Sequence, residues 1–213
     1  MKTRSKALLL TLCAVLLVAA TIFGTMAYLT STDTVTNTFT VGKVNIKLDE
    51  AKANLDGSLV ADADRVKANE YKLLPGHTYN KDPMVTVLSG SESSYVKMTV
   101  TFSKANELDA IFAPDGANLT RIFNGYDASN WIAKGNTKDA TANTRTYEFW
   151  YKEAVAAPDG DVALDALFDS ITVPGTITGA QLETIKGMTI TVNAYAIQAD
   201  GFADAAAAWA AFH

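Results

Sequence analysis

Turn signals recur at short intervals along this chain and limit it to many short elements. They fall at Asp56-Gly57, Pro75-Gly76, Ser89-Gly90, Pro114-Asp115-Gly116, Asn124-Gly125, Gly135-Asn136, Pro158-Asp159-Gly160, Pro174-Gly175, Lys186-Gly187 and Asp200-Gly201. Glycine at such sites takes positive φ freely, and Asp, Asn and Pro preset a turn, so each dipeptide reverses or interrupts the chain. The runs between several of them alternate. Val85 and Val87 flank Thr86; Val96, Met98, Val100 and Phe102 share one face of Tyr95–Phe102. Tyr147, Phe149 and Tyr151 alternate with Glu148, Trp150 and Lys152, and Met188, Ile190, Val192, Ala194 and Ala196 share a face near the C-terminus. Threonine is frequent on the opposite faces, as in antiparallel strands with one wet side. The pattern predicts a mainly β chain, an antiparallel β-sandwich.

Helices enter as inserts. Thr178-Gly-Ala-Gln181 fits a capping box, with Leu182 and Ile185 as apolar partners and Gly187 as the stop. Val162–Phe168 reads as one or two helical turns. Phe202, Ala206, Trp209 and Phe212 fall at helical spacing on an alanine-rich segment, predicting a C-terminal helix over 203–212 that packs on the sandwich or caps its end. The stretch from Asp49 to Asn69 is polar and reads as a loop.

The N-terminus carries location. Lys2, Arg4 and Lys6 precede an uncharged, largely apolar run, and Thr25 and Ala27 place small side chains at its end. This is the pattern of a secretory signal peptide, residues 1–27, cleaved before Tyr28. An uncleaved anchor needs about 20 apolar residues, which Ala7–Leu29 supplies, but the Thr- and Gly-rich end argues for cleavage. Cys13, the one cysteine, follows Leu12 and so lacks a lipidation context. Beyond the site, Val35, Phe39 and Val41, then Val44, Ile46 and Leu48, alternate with polar residues. Residues 28–48 therefore read as an N-terminal strand segment, free after cleavage to be lent to a neighbouring subunit, ahead of the sandwich domain at 49–213.

Charge and cysteine use narrow the classes. The chain has 18 Lys+Arg against 23 Asp+Glu, a net charge of −5, and cleavage removes three of the basic residues. A dispersed acidic surface disfavours nucleic acid and anionic membranes. Without cysteine in the mature chain, stability falls to the core. Asn118-Leu119-Thr120 matches a glycosylation sequon and reads as a chance triplet. Asp159, Asp161 and Asp165, and Asp62 with Asp64, offer oxygen ligands without the spacing of a calcium loop. Ser94-Tyr-Val-Lys97 matches Ser-x-x-Lys but enters a strand rather than a helix. Trp131, Trp150 and Tyr151 are candidates for sugar stacking, against the commoner fate of core packing. No catalytic, cofactor or metal site is predicted.

Taken in order, Gly24-Thr25-Met26-Ala27-Tyr28, the segment Asn37–Leu48, Leu74-Pro75-Gly76 before Asp82–Leu88, and Ile190–Phe202 resemble the TasA/camelysin family of secreted Gram-positive proteins. The resemblance covers the N-terminal third and the last strand. It implies a jelly-roll or Ig-like sandwich, export through a dedicated SipW-type signal peptidase, and, for the TasA branch, biofilm-matrix fibres built by donor-strand exchange, with companion matrix proteins as further partners. For the camelysin branch it implies a casein-cleaving metalloprotease. The residues do not favour that activity, because the only histidines are His77, in a turn, and His213, the last residue.

The expectation is a secreted structural protein of the cell surface or biofilm matrix, with no cofactor, in contact with membrane only before cleavage. It self-associates through the strand bearing Val35, Phe39 and Val41. The alternatives are a secreted metalloprotease and a monomeric adhesin or glycan-binding module.

Overall fold

The alternation in Tyr95–Phe102 builds the centre of the fold. In the computed structural model, which describes residues 6, 10–17, 42–112 and 123–212, this run lies in strand β4 (Ser91–Ser103). Val96, Met98 and Val100 are fully buried and Phe102 nearly so, while the residues between them face outward. β4 pairs antiparallel with β10 (Ile190–Gln198) on one side. On the other it pairs with β6 (Thr144–Tyr151) and β7 (Val155–Ala157). β5 (Trp131–Asp139) completes a five-stranded sheet in the order β10-β4-β6-β5, with β7 off the end of β4. Register stacks like on like. Val100 sits between Val192 and Tyr147, and Met98 between Ala194 and Phe149, so the inward face is continuously apolar.

The opposing layer is a three-stranded sheet in the order β1-β3-β8, made of β1 (Ile46–Asp49), β3 (Met84–Val87) and β8 (Val162–Ala163). Val85 and Val87 of β3 point into the same core as β4. A two-stranded pair, β2 (Thr78–Asn80) with β9 (Ser170–Thr172), extends the wall. Between the layers, Phe123 stacks on Phe168 at 4.4 Å and meets Tyr147 and Phe149 edge-on. One apolar core fills the space between two packed antiparallel sheets, the β-sandwich that the alternation predicts.

Three short helices attach to this frame: α2 (Ala105–Phe112), α3 (Gly179–Thr184) and α4 (Ala205–Ala211). At α3 the capping box forms, with the Thr178 hydroxyl accepting from Gln181 N–H, and Gly187 takes a φ of +72°. Asp204 caps α4, and Trp209 is buried on the outer face of the large sheet. There Lys97 Nζ lies 4.6 Å from the Trp209 ring centroid.

Two expectations change, and one helix is new. Val162–Phe168 is not helical, because the free edge of β3 takes up Val162 and Ala163 as β8 and Leu164 N–H donates to Val85 O at 2.8 Å. Gly135-Asn136 is not a turn. β5 runs through it with a register shift at Gly135, whose φ of +113° suits a bulge, and the reversal comes at 140–143. The helix α2, entered through Lys104 at φ +57°, carries no local signal that sequence reasoning used.

The chain divides into two compact units, residues 1–41 and 42–213. In the first, residues 10–17 form a helix, α1. Among the described residues no helix is long and apolar enough to cross a membrane. Thr25, Ala27, Tyr28, Val35, Phe39 and Val41 lie outside the described residues, as does His213. Ile46 and Leu48, read with the N-terminal segment, belong to β1 and pair with Val87 and Val85.

Candidate functional site

Two sheet edges meet without joining. Among the described residues β1 is bonded only to β3 and β10 only to β4, yet β1 and β10 lie side by side. The ladder bonds fix which main-chain groups of β10 remain open. Ser103 N–H donates to Thr189 O and Ala199 N–H to Ser93 O, so the odd-numbered residues of β10 face β4. Antiparallel pairing alternates, so Ile190 and Val192 direct their N–H and C=O toward the free edge. An edge in this state is a template for another strand.

A groove of about 440 Å³ runs along that edge, between Thr189–Val192 on one wall and Leu48–Glu50 with Val66–Asn69 on the other. It continues into a wider cleft of about 770 Å³ beside Tyr71, Leu73 and the end of α3. Beneath lies a small apolar cavity of about 60 Å³ that reaches Tyr79, Phe102 and Ile185. Lys81 and Ile190 border all three.

Charge pairing holds the far wall. Arg65 Nε donates to Asp49 Oδ1 at 2.6 Å, and its two terminal nitrogens reach Asp82 Oδ2 at 2.8 Å, Asp82 O at 2.8 Å and Asp49 O at 3.1 Å. Lys47 Nζ lies 2.6 Å from Asp49 Oδ2, and Asp82 Oδ1 accepts from Ala51 N–H at 2.6 Å. Burial pushes the Asp49 carboxyl up, but hydrogen bonds from Lys47 and Arg65 outweigh it and hold Asp49 below the ordinary carboxylate value. Arg65 is correspondingly raised: burial lowers it, and the bonds from Asp82 and Asp49 prevail. The Tyr71 phenol is pushed up, first by burial and then by the Glu50 charge. Gly57, at φ +88°, sits so close to Tyr79 that a Cβ there would lie 2.6 Å from its Cα; Asn80 N–H and Nδ2 both donate to Gly57 O. The segment read from sequence as a plain loop is thus fastened at several points.

No family model, curated protein or solved structure matches this chain. Its function therefore has to be argued from its own residues.

The other sequence candidates disperse. His77 is exposed in a turn, its ring 6.4 Å from that of Tyr79. Asp161 accepts from Ser89 N–H at 2.8 Å, and Asp165 accepts from Asn130 Nδ2 at 2.9 Å. Among the described residues no three His, Cys, Asp or Glu side chains gather as a metal site. Ser94 is buried and directs its hydroxyl to Val155 O, whereas Lys97 lies on the outer face over Trp209. Trp131 is buried with its indole N–H on Asp165 O, and Tyr151 packs edge-on against it. Lys134 Nζ covers Trp150 at 4.1 Å. Of these three aromatics Trp131 is buried, whereas Trp150 and Tyr151 are half-buried. Sequence reasoning missed Arg65, Asp82, Glu50 and Lys81, since no local spacing marks residues that meet only after the chain has turned back.

Proposed function

We propose that this protein is a secreted structural component of a cell surface or biofilm matrix that assembles into fibres by strand addition, as the TasA-like sequence features imply. The N-terminal segment of one copy, bearing Val35, Phe39 and Val41, occupies the groove of the next and bonds to the outward groups of Ile190 and Val192. Main-chain bonds supply affinity, and the alternating side chains supply register.

The observation that carries this reading is the placement of the open edge. Lys43 O accepts from Glu92 N–H, so the chain enters the sandwich beside the start of β4, level with Ala199 at the end of β10. The groove lies at the other end of β10, at Thr189–Val192. Leu48, on the groove's wall, follows Lys43 by five residues, so at most about 18 Å separates the chain's entry from the groove. A donor segment and an acceptor edge at different places on the subunit form a heterologous contact, which grows filaments where the rotation does not close a ring. Export by a SipW-type signal peptidase frees the donor, and companion matrix proteins are further partners.

The test is electron microscopy and light scattering on the mature chain beginning at Tyr28. Fibres are expected. Deleting residues 28–38 should leave a soluble folded monomer, and Phe39→Asp should stop growth with the circular dichroism spectrum retained. A Phe39→Asp chain that unfolds would place Phe39 in its own subunit's core. If the deletion variant polymerises as fast as the intact chain, strand addition is wrong.

A further inference from the structure

One carboxylate in the groove wall bridges an amine and a carboxamide. Glu50 Oε2 lies 2.5 Å from Lys81 Nζ, and Glu50 Oε1 accepts from Asn69 Nδ2 at 3.0 Å. Lys81 and Glu50 are both more than nine-tenths buried, at 8% and 6% exposure. The carboxamide is held in a defined orientation, with Asn69 Nδ2 also donating to Ala51 O at 2.9 Å and Asn69 Oδ1 accepting from Ala53 N–H at 2.8 Å. An ion pair in such a place gains little over apolar packing, because both charges lose their water. Amine, carboxamide and bridging carboxylate are the groups that an intramolecular amide transfer uses.

We infer that Lys81 and Asn69 are joined by an isopeptide bond, formed by the folded chain itself with Glu50 as proton carrier. Glu50 Oε2 first takes a proton from the Lys81 ammonium across the 2.5 Å contact, and the neutral Nζ then attacks Asn69 Cγ. The developing oxyanion on Asn69 Oδ1 is stabilised by the Ala53 N–H already bonded to it. Glu50 then passes that proton to Asn69 Nδ2 through Oε1, the C–N bond breaks, ammonia leaves through the groove that both residues line, and the second proton shed by Nζ stays on Glu50, which ends as the neutral acid. An amine and a primary amide become a secondary amide and ammonia, so no oxidant or external reactant is needed. The product replaces a buried charge pair with neutral groups and closes residues 69–81 into a covalent ring, which fixes the groove wall independently of any fibre.

Intact mass spectrometry of the secreted chain decides the matter. The expected mass is about 17 Da, one ammonia, below the sequence mass for its measured N-terminus. Tryptic digestion should yield residues 68–72 joined to residues 73–97, uncut at Lys81. Lys81→Arg and Glu50→Gln should each restore the full mass and the free 68–72 peptide. A wild-type chain at full sequence mass with 68–72 free overturns the inference, even where the variants fail to fold. A loss of ammonia with 68–72 still free would place it elsewhere, as at Asn124-Gly125, and also overturns it. A bond that forms undiminished in Glu50→Gln would refute the carrier role.

Discussion

Arg65 Nε donates to Asp49 Oδ1 at 2.6 Å across sixteen positions of sequence, tying the polar excursion after β1 back to the end of that strand. This ion pair reinforces the main-chain bonds between Glu50 and Val66 that hold the same wall of the β10 groove.

That pair makes stability depend on acid. Asp49's folded pKa lies below its unfolded value, so its contribution is complete above the ordinary carboxylate pKa of about 3.9 and is lost as pH falls through the folded value. The melting temperature should therefore drop on acidification below about pH 4, and Asp49→Asn should be less stable at neutral pH with a flatter acid limb. Arg65→Ala should cost about 3 kcal/mol by denaturant titration, since it leaves Asp49 buried and short of a partner. Equal acid slopes in wild type and Asp49→Asn would contradict this.

Proline placed along β10 separates edge from ladder. Val192 directs its N–H outward, so Val192→Pro should leave a folded monomer while removing a donor that an added strand needs. Thr191 bonds to β4, so Thr191→Pro should cost about 3 kcal/mol more and lower the melting temperature of the monomer itself. Thermal melts beside light scattering distinguish the two. Undiminished polymer growth in Val192→Pro would exclude this edge as the acceptor.

The C-terminal helix is a separable attachment. Ala208 and Trp209 are buried outside the main core cluster, and Lys97 lies over the rings of Trp209, Phe212 and Tyr195 at 4.6, 5.1 and 5.5 Å. Trp209→Ala should cost about 3 kcal/mol of helix docking. Limited proteolysis should then cut near residues 199–204, with the sandwich itself still melting cooperatively. Loss of the cooperative melt would show that the helix belongs to the core.

Cleavage at the small-residue site gives a direct readout of export. N-terminal sequencing of the secreted form should begin Tyr-Leu-Thr-Ser, from the Thr25-x-Ala27 pattern. A surface form that retains Lys2–Lys6 would instead make the apolar run an anchor.

Strand content was legible where one face of a strand is buried and the other wet. Val96, Met98, Val100 and Phe102 alternate because burial selects every second side chain, and that preference is written into composition. The cap of α3 was legible for a similar reason, since Thr178 satisfies an amide within three residues. β5 was hidden because its outer residues are exposed and Gly135 mimics a turn; only pairing with β6 reveals a bulge.

The sequence by itself determined the β-sandwich class, its central strands and the C-terminal helix, all properties set by neighbours along the chain. The tertiary structure alone decided which strands end as open edges, where the β10 groove runs, and that Glu50, Asn69 and Lys81 meet. Glu50 and Lys81 meet across thirty-one residues, and β10 pairs with β4 across eighty-eight or more. Such contacts leave no periodic trace, because the loop closure that creates them constrains position rather than spacing.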